Sequence, residues 1–179
     1  MENFNLPVPV NEHDHMRGPA DALVTVVVYG DYECHDCRRM NRALLKEARA
    51  IASRIRYVYR HFPLVGVHPQ ALRAAEAAEA AGVQGRFWEM HELLFLNPDR
   101  LSDRDLRHYA QQAQLDMARF DREMAEGEHR RRIMEGRDQS IQRGITGAPT
   151  FYFNDVLFAG SPVQLLEQVK AVIEGKSRG

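Results

Sequence analysis

The chain has very little cysteine: two residues among 179. That is too few for a small scaffold stapled by disulfides, and too few for an all-thiolate zinc site. It also lacks a long apolar run, the strongest stretch being residues 22–29, far short of the ~18 that would mark a membrane span. Net charge is nearly absent, because 24 basic residues oppose 25 acidic ones. Neither nucleic acid nor membrane insertion is therefore expected. Within residues 1–20, acidic and histidine residues interrupt any signal-peptide core. The expected location is cytoplasmic, or periplasmic if a signal segment has been removed. At 179 residues the chain is close to the ~150 of one domain and long enough to bury a real core.

What is present is strongly patterned. Residues 23–29 run Leu-Val-Thr-Val-Val-Val-Tyr without alternation, which predicts a strand buried on both faces of a sheet. From Cys34 the period changes: Cys37, Met40, Leu44, Ala48 and Ile51 recur at helical steps. Residues 55–61 then read as a second strand, giving a βαβ unit. Residues 64–143 predict helices only, with Gly82, Asn97-Pro98 and Gly127 as stops and Ser102 and Asp116 as caps. Thr150 to Phe153 and Val156 to Phe158 flank Asn154-Asp155, a spacing for a two-residue hairpin turn. Ser161-Pro162 opens a last helix. The chain divides into a leader (1–20), a scaffold in two pieces (21–63 and 144–179) and an inserted helical domain (64–143).

Cys34-His35-Asp36-Cys37 lies where a buried strand gives way to a helix. Two cysteines three positions apart on a first helical turn can bring their sulfurs within disulfide range. The first also sits at the positive end of the helix dipole, where a thiolate gains up to ~2 kcal/mol. Cys34 is thus the expected nucleophile and Cys37 the resolving partner. A Cys2His2 zinc site completed by His13 and His15 is the lesser reading, since the pair opens a helix directly after a buried strand. A purely structural bridge would close too small a loop to gain much.

Asp31-Tyr32-Glu33-Cys34-x-x-Cys37, the helical insertion, and Gly147-Ala148-Pro149-Thr150 before a final hairpin and helix together resemble the DsbA-like branch of the thioredoxin superfamily, over residues 23–175. The resemblance implies an α/β, thioredoxin-like fold with a mixed central sheet and an inserted all-α-helical domain. It implies a cis bond before Pro149, with Ala148, Pro149 and Thr150 forming a second wall that faces the cysteines and pairs with an extended substrate. Catalysis would rest on Cys34, Cys37 and Pro149, with no cofactor beyond the cysteine pair and no metal. The partners implied are protein or peptide thiols and disulfides, together with a thiol reductant or oxidant. In a reducing cytoplasm a reductase or isomerase direction is favoured.

The motif departs from the strongly oxidising Cys-Pro-His-Cys pattern at His35 and Asp36. The Asp36 charge is expected to disfavour the thiolate, partly opposed by protonated His35, and so to make the pair less oxidising. Asp31 and Glu33 read as helix caps ahead of proton acceptors for Cys37, and Tyr32 as a site wall or a core residue. His61, His68 and His91 read as packing or capping residues, Phe87 and Trp88 as core, and Arg130 to Arg132 as a solvated helix face. Two other classes stay open: a kappa-type glutathione transferase or isomerase, and a redox-sensing regulatory or binding module such as the soluble domain of a transport system.

Overall fold

The structure, a computed structural model, describes residues 5–51 and 54–175, without the side chains of residues 44–51 and Pro162. The expected apolar positions Leu44, Ala48 and Ile51 therefore lie outside the described side chains. Five strands form one sheet: β1 (His15–Arg17), β2 (Val24–Gly30), β3 (Ile55–His61), β4 (Thr150–Phe153) and β5 (Val156–Phe158), in the order β1-β3-β2-β4-β5. β2 and β3 are parallel, as the crossover through α1 (His35–Ile51) requires, and the remaining pairs are antiparallel. The sheet is mixed, and its centre is the apolar run that the sequence marks.

Alternation along β2 divides the core into two. Val24, Val26 and Val28 face Met40 of α1, the helical block and Leu165 of the last helix, α7 (Pro162–Ile173). Val27 and Tyr29 face the opposite way, where Leu6, Phe62, Ile145 and Tyr152 close over them. Gly30 ends the strand against the Tyr59 ring, and a Cβ built there would lie 2.6 Å from a ring carbon. Tyr59 is itself buried, so overpacking should destabilise a Gly30→Ala variant by ~1–3 kcal/mol, read as a lower denaturant midpoint. An unchanged midpoint would mean that the ring yields.

Between β3 and β4 run α2 (Ala71–Gly82), α3 (Phe87–Leu96), α4 (Asp103–Gln112), α5 (Met117–Glu126) and α6 (Arg130–Gln142). The alanines of α2 are buried, and their small side chains let α3, α4, α5 and α6 all pack against it. Ser102 accepts a hydrogen bond from the Asp105 N–H, and Asp116 from the Arg119 N–H, so both caps form. Ser161 and Gln164 make a full capping box on α7. Asn154 and Asp155, with φ of 45° and 68°, supply the paired left-handed residues of a tight hairpin turn.

Two features differ from the sequence reading. The first 20 residues are more than a leader, because they contain β1, which pairs with β3 from His15↔Tyr59 to Arg17↔Tyr57. Three residues of mixed polarity offer no periodicity to detect. The Arg130 to Arg132 face is only partly solvated. Arg130 reaches Glu76 at 2.9 Å and Arg132 contacts Glu79, both carboxylates being buried on α2, while Arg131 alone pairs with a solvent-side partner, Glu135. Buried carboxylates recruit such cations because ionised groups must be paired away from water.

Candidate active site

Cys34 closes the turn after β2, and α1 begins at the next residue. The Cys34 N–H donates to the Asp31 carbonyl at 3.3 Å, while its carbonyl accepts from the Arg38 N–H at 3.0 Å. The cysteine thus occupies the start of the helix. Both thiols are reduced and buried. The Cys37 N–H donates to Cys34 Sγ at 3.4 Å, and the Cys34 thiol points at the Ala148 carbonyl 3.6 Å away.

The two sulfurs differ sharply in acidity. A hydrogen bond from the Cys37 thiol is the main cause that brings Cys34 down to about 7; burial opposes it, and the Cys37 and Asp36 backbone N–H groups assist. Burial, followed by the neighbouring Cys34, raises Cys37 well above the ordinary thiol range. Alkylation of the reduced protein should therefore rise through a midpoint near pH 7 and modify Cys34 alone. A midpoint at 8.5 or above, the ~8.5 of a free thiol, would contradict that environment.

The acid that opposes the Cys34 thiolate is Asp31, not Asp36. Asp36 is exposed and pairs with Arg39 at 3.3 Å, and it acts on Cys34 through its backbone N–H. His35 is exposed at the first position of α1. Asp31 and Glu33 do not cap α1. Asp31 accepts from the Glu33 N–H (2.7 Å), the Leu64 N–H (2.8 Å) and His68 Nδ1 (2.8 Å), and Glu33 accepts from the Gln70 N–H (2.8 Å) ahead of α2. They tie the cysteine turn to the β3–α2 loop. Burial works against a charged His68, but the Asp31 carboxylate raises its pKa overall. Tyr32 belongs to the core, its hydroxyl 3.0 Å from His91 Nδ1, with the Phe95 ring alongside. His91 also contacts Asn41 at 3.3 Å, and Phe87 and Trp88 pack against its ring.

The Ala148–Pro149 bond is cis. Thr150 donates its hydroxyl to the Gly147 carbonyl at 2.7 Å and opens β4, paired with Tyr29 of β2. An open groove of about 510 Å3 runs from Asp36 and Arg39 past Pro149 and Thr150 to Leu157 and Phe158. The structure therefore gathers Cys34, Cys37, Asp31, Asp36 and the 148–150 segment in one place. His13 and His15 are not brought to the cysteines: His15 contacts Glu79 instead. His68 is the residue of this site that sequence reasoning placed elsewhere, and only the fold brings it to Asp31.

Residues 10–174 match the thioredoxin family. The chain belongs to that family. Among the described residues, the five-stranded mixed sheet and seven helices have the DsbA-like thioredoxin fold. The structure is similar to a thioredoxin-like oxidoreductase from Silicibacter pomeroyi, with a TM-score of 0.75 and 27% identity over 92% of this chain and 94% of that one. It also resembles α-DsbA1 from Wolbachia pipientis, at a TM-score of 0.78 and 20% identity, covering 96% of this chain and 98% of that one. In sequence the chain is 46% identical over 159 residues to the Na+/H+ antiporter NhaA 1 of Salinispora arenicola, covering 88% of this chain and 24% of the antiporter. The chain thus spans about a quarter of the length of that relative. Among the described residues, no helix is long and apolar enough to cross a membrane.

Proposed function

We propose that the chain is a thiol-disulfide oxidoreductase that exchanges disulfides with protein or peptide substrates through Cys34 and Cys37. The observation that carries this reading is the unequal pair: one thiol lowered to about 7 beside the Ala148 carbonyl, the other raised by burial and by its neighbour. The Cys34 thiolate attacks a substrate disulfide, forming a mixed disulfide and releasing one substrate thiolate. Cys37 then attacks the Cys34 sulfur, and its proton passes to the second departing thiolate. The first thiolate released takes its proton from solvent, so the substrate leaves as a dithiol and the chain as a disulfide; the reverse sequence oxidises a substrate.

The groove along Pro149, Thr150 and Phe158 suits an extended peptide lying against the start of β4, with the 148–150 backbone as its partner. Asp36 and Arg39 at one end would select charge. The test is insulin reduction with dithiothreitol as donor, comparing wild type with Cys34→Ser. Catalysis in wild type and its loss in the variant support the reading, whereas equal rates refute it.

A second reading has its own support. Because the Salinispora arenicola relative is an antiporter of which this chain matches about a quarter, the pair could report redox state to a transport protein rather than turn over. A protein that forms its disulfide stoichiometrically but shows no catalysis in the insulin assay would favour that role.

A further inference from the structure

Away from the cysteines, His15 on β1, His61 at the end of β3 and Glu79 on α2 bring three ligating atoms within 4.8 Å of one another. Glu79 Oε1 lies 2.9 Å from His15 Nε2 and 3.1 Å from His61 Nε2. The His61 and Glu79 side chains are 7% and 5% exposed, well inside the protein. Neither ring nitrogen of His61 makes a hydrogen bond, although Nε2 is so close to the carboxylate. A buried imidazole left with one misaligned carboxylate contact costs free energy until something satisfies it. Beside the three residues lies a cavity of about 300 Å3, which Tyr59 and Arg132 also line. The other such grouping, Glu123, Glu128 and His129, offers a single imidazole, and its bonded nitrogen meets Glu123 at 2.9 Å.

We propose that His15, His61 and Glu79 form a binding site for one divalent transition-metal ion, zinc by chemical preference. Two imidazoles and a carboxylate suit zinc, whereas calcium and magnesium require shells made mostly of oxygen. Zinc with bonds of ~2.0–2.1 Å in a tetrahedron holds its ligand atoms about 3.3 Å apart. The contacts of 2.9 Å and 3.1 Å need open by only a few tenths of an ångström. The fourth position faces the cavity and takes water. Arg132 contacts the other oxygen of Glu79, which leaves Oε1 facing both rings. Its side chain is 59% exposed, so it can swing outward when a cation arrives.

The ion joins three elements: the edge strand β1, β3 and the central helix of the helical block. His61 is paired in register with Gly30, immediately before Asp31, so the clamp sits beneath the cysteine turn. Its role is structural, and thiol exchange at Cys34 needs no metal.

The test uses the full chain with Cys34→Ser and Cys37→Ser combined, which removes the thiolates that would otherwise bind zinc. Cobalt(II) titration should show one ion per chain with ligand-field bands and no thiolate charge-transfer band, and zinc should displace it. Adding His61→Ala or His15→Ala should weaken binding by more than ~10-fold, the low end of what the loss of even an outer-shell partner costs. Arg132→Gln, which removes the competing cation, should bind at least as tightly. Far-UV circular dichroism checks each fold; should His61→Ala unfold, the partly exposed His15 carries the comparison. No stoichiometric binding at micromolar metal, binding indifferent to the histidine changes, or weakening by Arg132→Gln would each overturn the site.

Discussion

A Cys37→Ser variant is expected to accumulate as a covalent mixed disulfide with its substrate, and a Cys34→Ser variant to fall below a hundredth of wild-type exchange. Ionisation alone does not set that ratio. At pH 7 about half of Cys34 is thiolate, against less than ~1% of a thiol whose pKa exceeds 9. A thiolate two pKa units less basic is, however, ~10-fold less nucleophilic, which leaves Cys34 an advantage of only about 5-fold or more from charge. Position must supply the rest. Cys37 is 3% exposed against 6% for Cys34, and its acidity feels the buried Asp31 charge. Cys34 faces the carbonyl of Ala148, the residue next to Pro149 of the groove.

Resolution by Cys37 is intramolecular, and well-oriented intramolecular steps reach effective molarities of ~10⁵ M or more. Millimolar external thiols cannot match that. The chain has no third cysteine, so the mixed disulfide in Cys37→Ser persists. Non-reducing gels followed by mass spectrometry read the adduct and its attachment to Cys34. Equal adduct formation by Cys34→Ser would refute the assignment. The hydrogen bond from the Cys37 thiol is the largest cause of Cys34 acidity, so a Cys37→Ala variant, which has no donor there, should titrate higher than wild type.

Much of this arrangement was legible in the sequence because its signals are local. An unbroken β-branched run means a buried strand, paired cysteines at the next helix mean a redox pair, and Ser102, Asp116 and Ser161 cap by contacts three residues away. The misses all depend on distant residues. β1 owes its existence to pairing with β3 rather than to its own three residues. Glu76 and Glu79 look like solvent positions in an alanine-rich helix, yet α2 is enclosed by four neighbours and its carboxylates are buried. That enclosure gave Arg130 and Arg132 partners 54 and 53 residues away. The same cause moved the influence on Cys34 from Asp36 to Asp31: adjacency in sequence favours the former, but the former is exposed and paired while the latter is buried.

Asp31 therefore makes a demanding test, because stability and acidity should respond to it in different ways. Its carboxylate is fully buried and holds the Glu33 N–H, the Leu64 N–H and His68. Removing it in Asp31→Ala leaves two backbone donors and a histidine without their acceptor beside the cysteine turn. Breaking such a buried charged set costs ~3–5 kcal/mol, an effect to be read in denaturant unfolding of the reduced protein. Asp31→Asn keeps the shape and one acceptor oxygen while removing the charge. It should cost less stability and lower the Cys34 pKa below about 7, because the Asp31 charge is among the causes that raise it. Cys37 should move the same way, since Asp31 acts on it as a charge too. A more stable Cys34 thiolate favours the reduced form, so the asparagine variant should also be the stronger oxidant in equilibrium with glutathione. If Asp31→Asn leaves the pH midpoint of Cys34 alkylation unchanged, the carboxylate acts only as a strut for the loop. If the midpoint falls while Asp31→Ala unfolds, one buried side chain both fixes the turn and sets the acidity of the thiol that the turn presents.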